Sequence, residues 1–357
     1  MLVAFKEEDA NGNGDPNDEI PLCIQIDVGR GTRLEWLLFA SFGFYTNNTS
    51  YTRQADAEGN VYLAQTTDAY KEYLKFMHKL YEEELLDATC FIQTDDERID
   101  KVRNNLAGVF SDYSGLQVAV GGGDGSLYEK YAFLTGLSSP YNDKVSFPLG
   151  NCGYAEGART FVNANTEYPE AIVRLIDHFL SEDSVLLCDY GVEGETFSFV
   201  TDSLGHQVPS FDGYWEEQYE SATAYQNTLK LDEGLKLIRT SYLDSIIENS
   251  SDEELDQMIF NDPSFTYTSN AAIEKALRSA DELVSPFPDL LYTEEEASER
   301  STLAADISAY LRTMKASFIM GEMDIDANWD SYLAELESMG LNELLAIEQA
   351  AYDRLIG

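Results

Sequence analysis

The chain is poor in basic side chains, and this shortage excludes several classes of partner. Its 357 residues contain 23 lysines and arginines against 65 aspartates and glutamates, a formal net charge of −42. Phosphate backbones and anionic lipid surfaces attract basic proteins, so nucleic acids and bare membranes are poor partners for this chain. Because the acidic residues are spread along the whole sequence, we interpret them as a solvated surface and not as a binding tail.

Histidine and cysteine are scarce, and the signatures of common enzymes and metal sites are missing. Three histidines occur, and the four cysteines lie far apart without a Cys-x-x-Cys pair (Cys23, Cys90, Cys152 and Cys188). This spacing supports neither a zinc site nor a disulfide scaffold, and four buried small apolar residues are the simplest interpretation. No HExxH, GxSxG, Walker A or GxGxxG signature occurs. The sequence therefore predicts a protein that is not an enzyme.

Long apolar runs are missing as well. No stretch approaches the roughly 20 apolar residues of a membrane helix, and the first eight residues are too few and too acidic for a signal peptide. Hydrophobic residues nevertheless make up 44% of the chain and aromatic residues 12%, which is enough to bury a core. A chain of this length suits two lobes or one large α/β unit.

Residues 9–19 carry the clearest chemical pattern, an alternation of oxygen-bearing side chains with small residues. In an EF-hand-type loop the first, third and fifth positions are ligands, the sixth is glycine, and the seventh supplies a backbone carbonyl. Asp9, Asn11, Asn13, Gly14 and Asp15 occupy these positions in that order. The pattern predicts a loop wrapped around a hard cation.

The match to an EF-hand ends at the twelfth position of this loop. Ile20 stands where the bidentate glutamate belongs, and the nearest acids are Asp18 and Glu19. We therefore predict an EF-like, structural Ca²⁺ site that Asp18 and Glu19 complete, between a helix end (residues 2–8) and a strand that begins near Ile20. A polar turn without metal uses the same residue types, and this alternative stays open.

Hydrophobic periodicity predicts many helices with short strands between them. A long amphipathic helix begins at Thr67, and a second helix near residues 95–105 leads into a strand near residues 107–111. Tyr168-Pro169 opens another helix, and the residues expected to face inward on it are Ala171, Ile172, Leu175, Ile176, Phe179 and Leu180.

The C-terminal third of the chain also predicts helices. Thr293 and Glu296 form a capping box at the start of the first of them. Gly321 ends that helix, and Gly340 separates the two helices that follow.

Five stretches form a further pattern when they are taken in order along the chain. They are residues 1–14 (MLVAFKEEDANGNG) with 18–22 (DEIPL), residues 70–87 (YKEYLKFMHKLYEEELLD), residues 168–171 (YPEA) with 190–197 (YGVEGETF), residues 329–333 (WDSYL), and residues 340–343 (GLNE) with 349–354 (QAAYDR). Each stretch alone is weak. Together, over nearly the whole chain, they resemble the extracellular solute-binding proteins (family 1, lipoprotein type) of carbohydrate ABC importers and the related alginate-binding proteins.

This resemblance implies an α/β fold of the periplasmic-binding-protein-like type II, helix-rich and with two lobes that close over a solute at a hinge. Residues 1–146 are expected mainly in the second lobe with the calcium loop. Residues 147–202 contribute to the first lobe, and residues 203–357 return to the second lobe and the C-terminal helices. In the family, a signal peptide, a lipidated cysteine and most of the first lobe precede the helix end at residues 1–8. The first lobe is therefore expected to be incomplete, with its N-terminal part missing.

By the same resemblance, the expected function is the non-catalytic capture of an oligosaccharide as the extracellular solute-binding component of an ABC importer. The permease subunits are its partners, and the whole protein is attached to the cell surface by a lipid anchor that this chain lacks. Tyr113, Tyr154 and Trp215 are the candidate solute contacts, with plain packing as their alternative. The negative charge favours neutral or amino sugars, or peptides, over polyuronates such as alginate. A calcium-stabilised secreted interaction protein of the same fold, without a transport role, is the alternative function.

Overall fold

Helices dominate the protein, and the strands between them are short. The computed structural model describes residues 1–15, 17–27, 29–46, 48–112, 131–132, 134, 136–148, 162–179, 181–219, 222–229, 242–261, 265–284 and 286–357. The helices are α1 (Leu2–Glu7), α2 (Arg33–Ala40), α3 (Asp68–Glu82), α4 (Asp95–Arg103), α5 (Pro169–Phe179), α6 (Glu182–Asp189), α7 (Ala222–Leu229), α8 (Asp244–Asn249), α9 (Asp252–Asn261), α10 (Phe265–Ser279), α11 (Glu294–Ile319), α12 (Ile325–Ser338) and α13 (Leu341–Ile356). The strands are β1 (Ile20–Cys23), β2 (Arg53–Ala55), β3 (Val61–Leu63), β4 (Ala107–Phe110), β5 (Ser146–Pro148), β6 (Ser198–Thr201), β7 (Gln207–Ser210) and β8 (Glu282–Val284). In these parts of the chain, none of the helices combines the length and hydrophobicity that a membrane span requires.

The chain divides into two compact units. Unit 1 consists of Met1–Gly153 and Ala276–Gly357, and unit 2 consists of Tyr154–Lys275. Unit 2 is therefore inserted into unit 1 along the sequence. The predicted lobe boundaries, after residues 146 and 202, refer to the lobes of a whole solute-binding protein and stay a prediction.

Unit 1 contains a pair of parallel strands, β1 and β4, with the predicted calcium loop at one end. β1 pairs with β4, with Ile20 beside Ala107 and Leu22 beside Val109. Leu22 and the apolar residues that follow β1 are buried, which is the pattern of a strand covered on both faces. Loop 9–19 leads into the amino end of β1, and residues 24–32 follow its carboxyl end. We call these two ends of the pair the amino edge and the carboxyl edge.

The helices of unit 1 begin and end where the sequence predicts. The side chain of Thr67 caps α3 by accepting a hydrogen bond from Tyr70 N, and the capping box of Thr293 and Glu296 opens α11. Gly340 has a φ of 91°, a conformation that ends α12 at low cost only for glycine. The apolar face of α3 is fully buried, at about 1.5–3 kcal/mol for each large side chain. Its members are Tyr70, Tyr73, Leu74 and Met77, each at most 1% exposed.

Unit 2 has its own core, and one expectation about it is wrong. The predicted helix after Tyr168 is present as α5, but none of its described side chains is buried. Ala171 is exposed, and Leu175 is 52% exposed. A helical period identifies an apolar face but does not specify what covers it. The core of unit 2 is formed instead by side chains of the later helices and the segments beside them, namely Leu243, Ile247, Leu255, Met258, Ile259, Ala271 and Ala272.

A fully buried glutamate joins three segments of unit 1. Glu348 on α13 accepts hydrogen bonds at Oε1 from Tyr51 Oη at 3.1 Å and from Arg300 Nε at 2.7 Å. Its Oε2 accepts from Arg53 Nη1 at 2.9 Å and from the Tyr292 hydroxyl. Burial alone raises the pKa of Glu348, but the charge of Arg53 and the hydrogen bonds from Tyr292 and Arg53 lower it overall. The buried group is therefore a satisfied carboxylate.

We expect Glu348→Gln to lower the free energy of unfolding by about 3 kcal/mol at neutral pH, because two arginines and two tyrosines lose a charged acceptor. The folded pKa of Glu348 is lowered, so its stabilisation is present above the ordinary value of 4.5 and is lost as the pH falls below it. Urea unfolding of variant and wild type should therefore converge toward acid pH. Glu337→Gln, on the exposed face of α12, is the control and should change stability by less than about 0.5 kcal/mol. A difference for Glu348→Gln that does not depend on pH would contradict the prediction.

Candidate functional site

The predicted calcium loop, residues 9–19, is folded around its own side-chain oxygens. Asp9 accepts two backbone amides, with 3.0 Å between its Oδ1 and Asn13 N and 2.8 Å between its Oδ2 and Gly14 N. Asn11 Oδ1 accepts from Asn13 N at 2.9 Å, and Asn13 Oδ1 accepts from Asp15 N at 2.7 Å. These short turns direct the side-chain oxygens of positions 9, 11 and 13 toward the backbone of the loop.

Asp18 and Glu19 contact the first half of the loop. The two Asp18 oxygens accept from Asn11 Nδ2 at 3.1 Å and from Asn13 Nδ2 at 2.6 Å. Glu19 Oε1 accepts from Ala10 N at 3.0 Å, whereas its Oε2 is buried without a hydrogen-bond partner in the described part of the chain. A buried carboxylate oxygen without a donor is costly, and a cation beside it removes that cost.

The donor set of this loop fits a hard cation. Ca²⁺ takes six to eight oxygen ligands from carboxylates, amides and carbonyls, which are the groups present here. Asp15, at the seventh position, accepts at Oδ1 from Asn17 N at 3.1 Å. Among the described residues, no group of three or more His, Cys, Asp and Glu side chains is arranged for a metal. The loop would also use the amide oxygens of Asn11 and Asn13 as ligands, and such a grouping of His, Cys, Asp and Glu does not include them.

The loop rests on the amino edge of the strand pair. Ile20 N donates to Leu106 O at 2.8 Å, and Asn105 Nδ2 donates to Asn11 O at 3.3 Å. Asn105 has a φ of 61°, in the left-handed region that asparagine tolerates better than most residues. The turn between α4 and β4 thus holds the loop at the amino edge of the strand pair through two hydrogen bonds, while most residues of the loop stay exposed.

A buried ion pair occupies the carboxyl edge of the strand pair. Arg98 on α4 is 0% exposed, and its guanidinium pairs with Asp112, just after β4. Arg98 Nε also donates to Gln25 Oε1 at 3.1 Å, and Nη1 donates to Ser111 O at 2.8 Å. A Cβ on Gly31 would lie 2.7 Å from Arg98 Cδ, so only glycine fits there. The ends of both strands are therefore held by one side chain.

A second buried cation lies close by, under the segment that follows β1. Lys315 on α11 is 1% exposed; it pairs with Asp27, donates to Glu35 Oε1 at 2.9 Å and contacts Thr49 Oγ1 at 3.2 Å. Burial alone lowers the pKa of Lys315, but the charges of Glu35 and Asp27 raise it overall. Asp27 has a φ of 67°, so this contact holds an unfavourable backbone conformation in place.

Of the three predicted solute contacts, Trp215 alone lies within the described residues. Tyr113 and Tyr154 lie outside them. Trp215 belongs to unit 2, where its carbonyl accepts hydrogen bonds from Gln218 N at 3.1 Å and Tyr219 N at 2.9 Å. Trp215 is half-buried, and its Nε1 is a buried donor with no acceptor in the described part of the chain. Its role in solute binding stays a prediction.

Sequence reasoning missed the two buried cations of unit 1. The signal for both was a basic residue on an apolar helix face: Arg98 precedes Ile99 and is one turn before Val102, and Lys315 follows Met314 and is one turn after Leu311. Such a residue is usually exposed or reaches solvent with its charged end. Their carboxylate partners are distant in sequence, so no local pattern identifies the pairs.

The cysteines of unit 1 are inert. Cys23 and Cys90 are buried free thiols, Cys188 of unit 2 is buried as well, and Cys152 lies outside the described residues. Burial, and then the charge of Asp87, raises the pKa of the Cys23 thiol to about 12. A thiol of this kind is neither a nucleophile nor a metal ligand at neutral pH.

Comparison with known proteins gives two sequence relatives. No protein-family model matches the chain. The fructooligosaccharide ABC transporter substrate-binding protein FusA of Streptococcus pneumoniae is 26% identical over 361 residues, which cover 99% of this chain and 61% of FusA. Lipoprotein LipO of Bacillus subtilis is 27% identical over 203 residues, which cover 55% of this chain and 39% of LipO. The chain thus spans less than two thirds of the length of either relative.

Solved structures show the fold of the chain. FusA in complex with kestose matches with a TM-score of 0.61 and 22% identity over 99% of this chain and 66% of FusA. An HMO-binding, ABC-transporter-associated solute-binding protein from Bifidobacterium longum infantis matches with a TM-score of 0.62 and 20% identity over 99% of this chain and 68% of that one. The alginate-binding protein AlgQ2, solved without calcium ion, matches with a TM-score of 0.55 and 18% identity, again over 99% of this chain.

FusA and the HMO-binding neighbour are therefore substrate-binding or solute-binding proteins of ABC transporters. The resemblance found in the sequence is confirmed, and so is the predicted fold class, an α/β, helix-rich fold of the solute-binding type.

The ion pair at the carboxyl edge can be tested by a double-mutant cycle. We expect Arg98→Met to lower the free energy of unfolding by about 3–5 kcal/mol, because it removes the guanidinium that pairs with the buried Asp112 carboxylate. Adding Asp112→Asn to this variant should restore part of the loss, since the buried charge is removed. The measurement is urea unfolding at neutral pH, with Lys79→Met on the exposed side of α3 as the control. Strictly additive losses in the double variant would refute the coupling.

Proposed function

We propose that this chain is the solute-binding component of an ABC importer, and that it captures a neutral oligosaccharide without catalysing a reaction on it. The observation that carries the proposal is the match to the fructooligosaccharide-binding protein FusA over 99% of this chain. Further support is the likeness in fold to proteins that bind kestose and HMO. The partners of the chain are then an oligosaccharide and the permease subunits of the importer.

The charge of the chain limits the class of sugar. At a net charge of −42, the protein repels polyanions over distances of about a Debye length, roughly 8 Å at physiological salt. Lys315 and Arg98 do not reverse this, because each is matched by carboxylates in its own cluster. Neutral oligosaccharides therefore fit better than polyuronates such as alginate, although AlgQ2 shares the fold.

The same relatives support a location for the protein. FusA is named as a component of an ABC transporter, and LipO is named as a lipoprotein. We assign the whole protein to the outer face of the cell membrane, attached by a lipid. In the lobe assignment that goes with this function, residues 147–202 contribute to the first lobe and the remaining residues lie mainly in the second.

Loop 9–19 is assigned a structural Ca²⁺ ion, held by Asp9, Asn11, Asn13, Asp15, Asp18 and Glu19. The support is the buried, unpartnered Glu19 Oε2 and the all-oxygen donor set. Structures of a FusA EF-hand mutant and of AlgQ2 without calcium ion are among the neighbours. The loop lies at the amino edge of the strand pair, whereas ligands of α/β folds bind at carboxyl edges. The ion therefore acts as a brace and does not contact the sugar.

Sugar binding without a reaction can be measured on the purified whole protein, since this chain spans only 61% of the length of FusA. Titration calorimetry with kestose, a neutral milk-type oligosaccharide and an oligouronate should give binding of at least one neutral sugar and no binding of the oligouronate. Trp215→Ala should weaken that binding by about tenfold or more, or 1.4 kcal/mol. Trp36→Phe, in unit 1, is the control variant and should leave the affinity unchanged. Mass spectrometry of the sugar after incubation should find it intact, and a cleaved sugar would overturn the non-catalytic function.

Calcium should stabilise the protein. At a free concentration 100 times the dissociation constant, we expect about 2.7 kcal/mol of added stability and a higher melting temperature. Asp9→Ala should abolish this increment. Asp56→Ala removes a similar acceptor from another exposed turn and should retain it, because Asp56 binds only the amides of its own turn. Equal melting with calcium and with chelator would remove the metal from the loop.

A further inference from the structure

Loop 9–19 contains two asparagine–glycine pairs whose asparagine side chains make matching hydrogen bonds. Asn11-Gly12 and Asn13-Gly14 are the two Asn-Gly dipeptides of the whole sequence. Each asparagine accepts at Oδ1 the backbone amide two residues later, at 2.9 and 2.7 Å, and each donates from Nδ2 to Asp18. The loop therefore provides an internal comparison for the chemistry of this dipeptide.

Asn-Gly is the dipeptide in which an asparagine side chain reacts most readily with its own backbone. The amide nitrogen of the glycine, after losing its proton to solvent hydroxide, attacks the side-chain Cγ. The N–Cγ bond forms, the Cγ–Nδ2 bond breaks, and ammonia leaves with a proton taken from water. One water molecule then opens the resulting five-membered imide to aspartate or isoaspartate, without an oxidant or reductant. The rate depends on how free the glycine N–H is.

The two glycines differ in this respect. Gly14 N donates to Asp9 Oδ2 at 2.8 Å. A hydrogen bond to a carboxylate is strong, so Gly14 N retains its proton and cannot attack Cγ of Asn13. Gly12 N has no acceptor among the described residues, and the open side of Gly12 has no atom within 4 Å of an added Cβ. Hydroxide from solvent can therefore remove the proton of Gly12 N, whereas the Asp9 carboxylate opposes removal of the proton of Gly14 N.

Asn105 makes the first pair more reactive still. Its Nδ2 donates to Asn11 O at 3.3 Å, which is the carbonyl of the Asn11–Gly12 peptide bond. A donor at that carbonyl withdraws electrons from the peptide unit, so the Gly12 N–H loses its proton more easily.

We propose that Asn11 is a self-modification site of this protein, where the exposed, unpartnered Gly12 amide converts Asn11 to aspartate or isoaspartate while Asn13 is protected by Asp9.

The consequence for the metal rests on the proposed Ca²⁺ site. Aspartate at position 11 adds a carboxylate at the third ligand position, and affinity in such loops rises with ligand charge. Isoaspartate instead adds a carbon to the backbone and moves the later ligands out of register. Conversion of Asn11 therefore gives two populations of the protein, one that binds calcium more tightly than the original and one that binds it more weakly.

Peptide mapping by mass spectrometry tests the proposal on the full chain. The chain is incubated at mildly alkaline pH with chelator, and the amide-to-acid mass gain is followed separately at Asn11 and Asn13. We expect Asn11 to react faster by about tenfold or more, the factor that corresponds to a hydrogen bond to a charged group. In urea the two sites should react at similar rates. Equal native rates, or a faster Asn13, would overturn the proposal.

Two variants separate the proposed causes from general loosening of the loop. Asp9→Asn keeps the shape of the side chain, removes the charge that holds Gly14 N, and should accelerate Asn13 more than Asn11. Asn105→Gly suits a φ of 61° and should slow Asn11 while leaving Asn13 unchanged. If both variants changed both sites by the same factor, loop mobility would explain the rates and the assignment would fall.

Calcium distinguishes this proposal from the metal site itself. Because Asn11 Oδ1 is an assigned ligand, calcium should slow the reaction at Asn11, and Asn11→Asp should bind calcium several-fold more tightly than the wild type. A preference for Asn11 that persists while calcium affects neither rate would confirm the modification and contradict the metal site alone.

Discussion

The parallel pairing of β1 with β4 is the contact on which both candidate sites depend. One edge of this pair carries loop 9–19, and the other carries the segments held by Arg98 and Lys315. A shift of the pairing by one residue would turn Leu22 outward and separate Asn105 from Asn11. The metal loop and the buried ion pairs thus depend on the register of β1 against β4. Loop 9–19 and Arg98 join segments next to β1 with segments next to β4, and Lys315 joins the segment after β1 with α11.

Local features were predictable from the sequence, because their causes are local. The capping box of Thr293 and Glu296, the helix start at Thr67 and the EF-like spacing of loop 9–19 each depend on residues within one or two turns of one another. Glu35 and Lys315 show the opposite case, since 280 positions separate the two residues of this ion pair. No periodicity predicts a contact over such a distance. The prediction that Leu175 faces inward was wrong for a related reason. The sequence shows which face of a helix is apolar but does not show which element packs on that face.

The resemblance to carbohydrate-binding proteins supplied what the residues alone did not. Composition excluded nucleic acids, and the missing signatures argued against catalysis, but neither pointed to a sugar. The order of five weak stretches did, and the relatives and neighbours agree with it. The solute contacts were the least predictable part. Aromatic residues are frequent in this chain, and no spacing rule separates Trp215 from the many aromatic side chains that pack in the cores.

The insertion of unit 2 into unit 1 determines the order in which this protein becomes complete on the ribosome. Asp27 and Glu35 are synthesised before Lys315, which neutralises them and is separated from Asp27 by 288 residues. Tyr51 waits still longer for Glu348, which is 297 residues away. Met1–Gly153 is therefore synthesised before the lysine that pairs with Asp27 and Glu35, and before the helices α11 and α12 that pack on α3. Contacts between residues so far apart in sequence slow folding, because a long loop must close before they form.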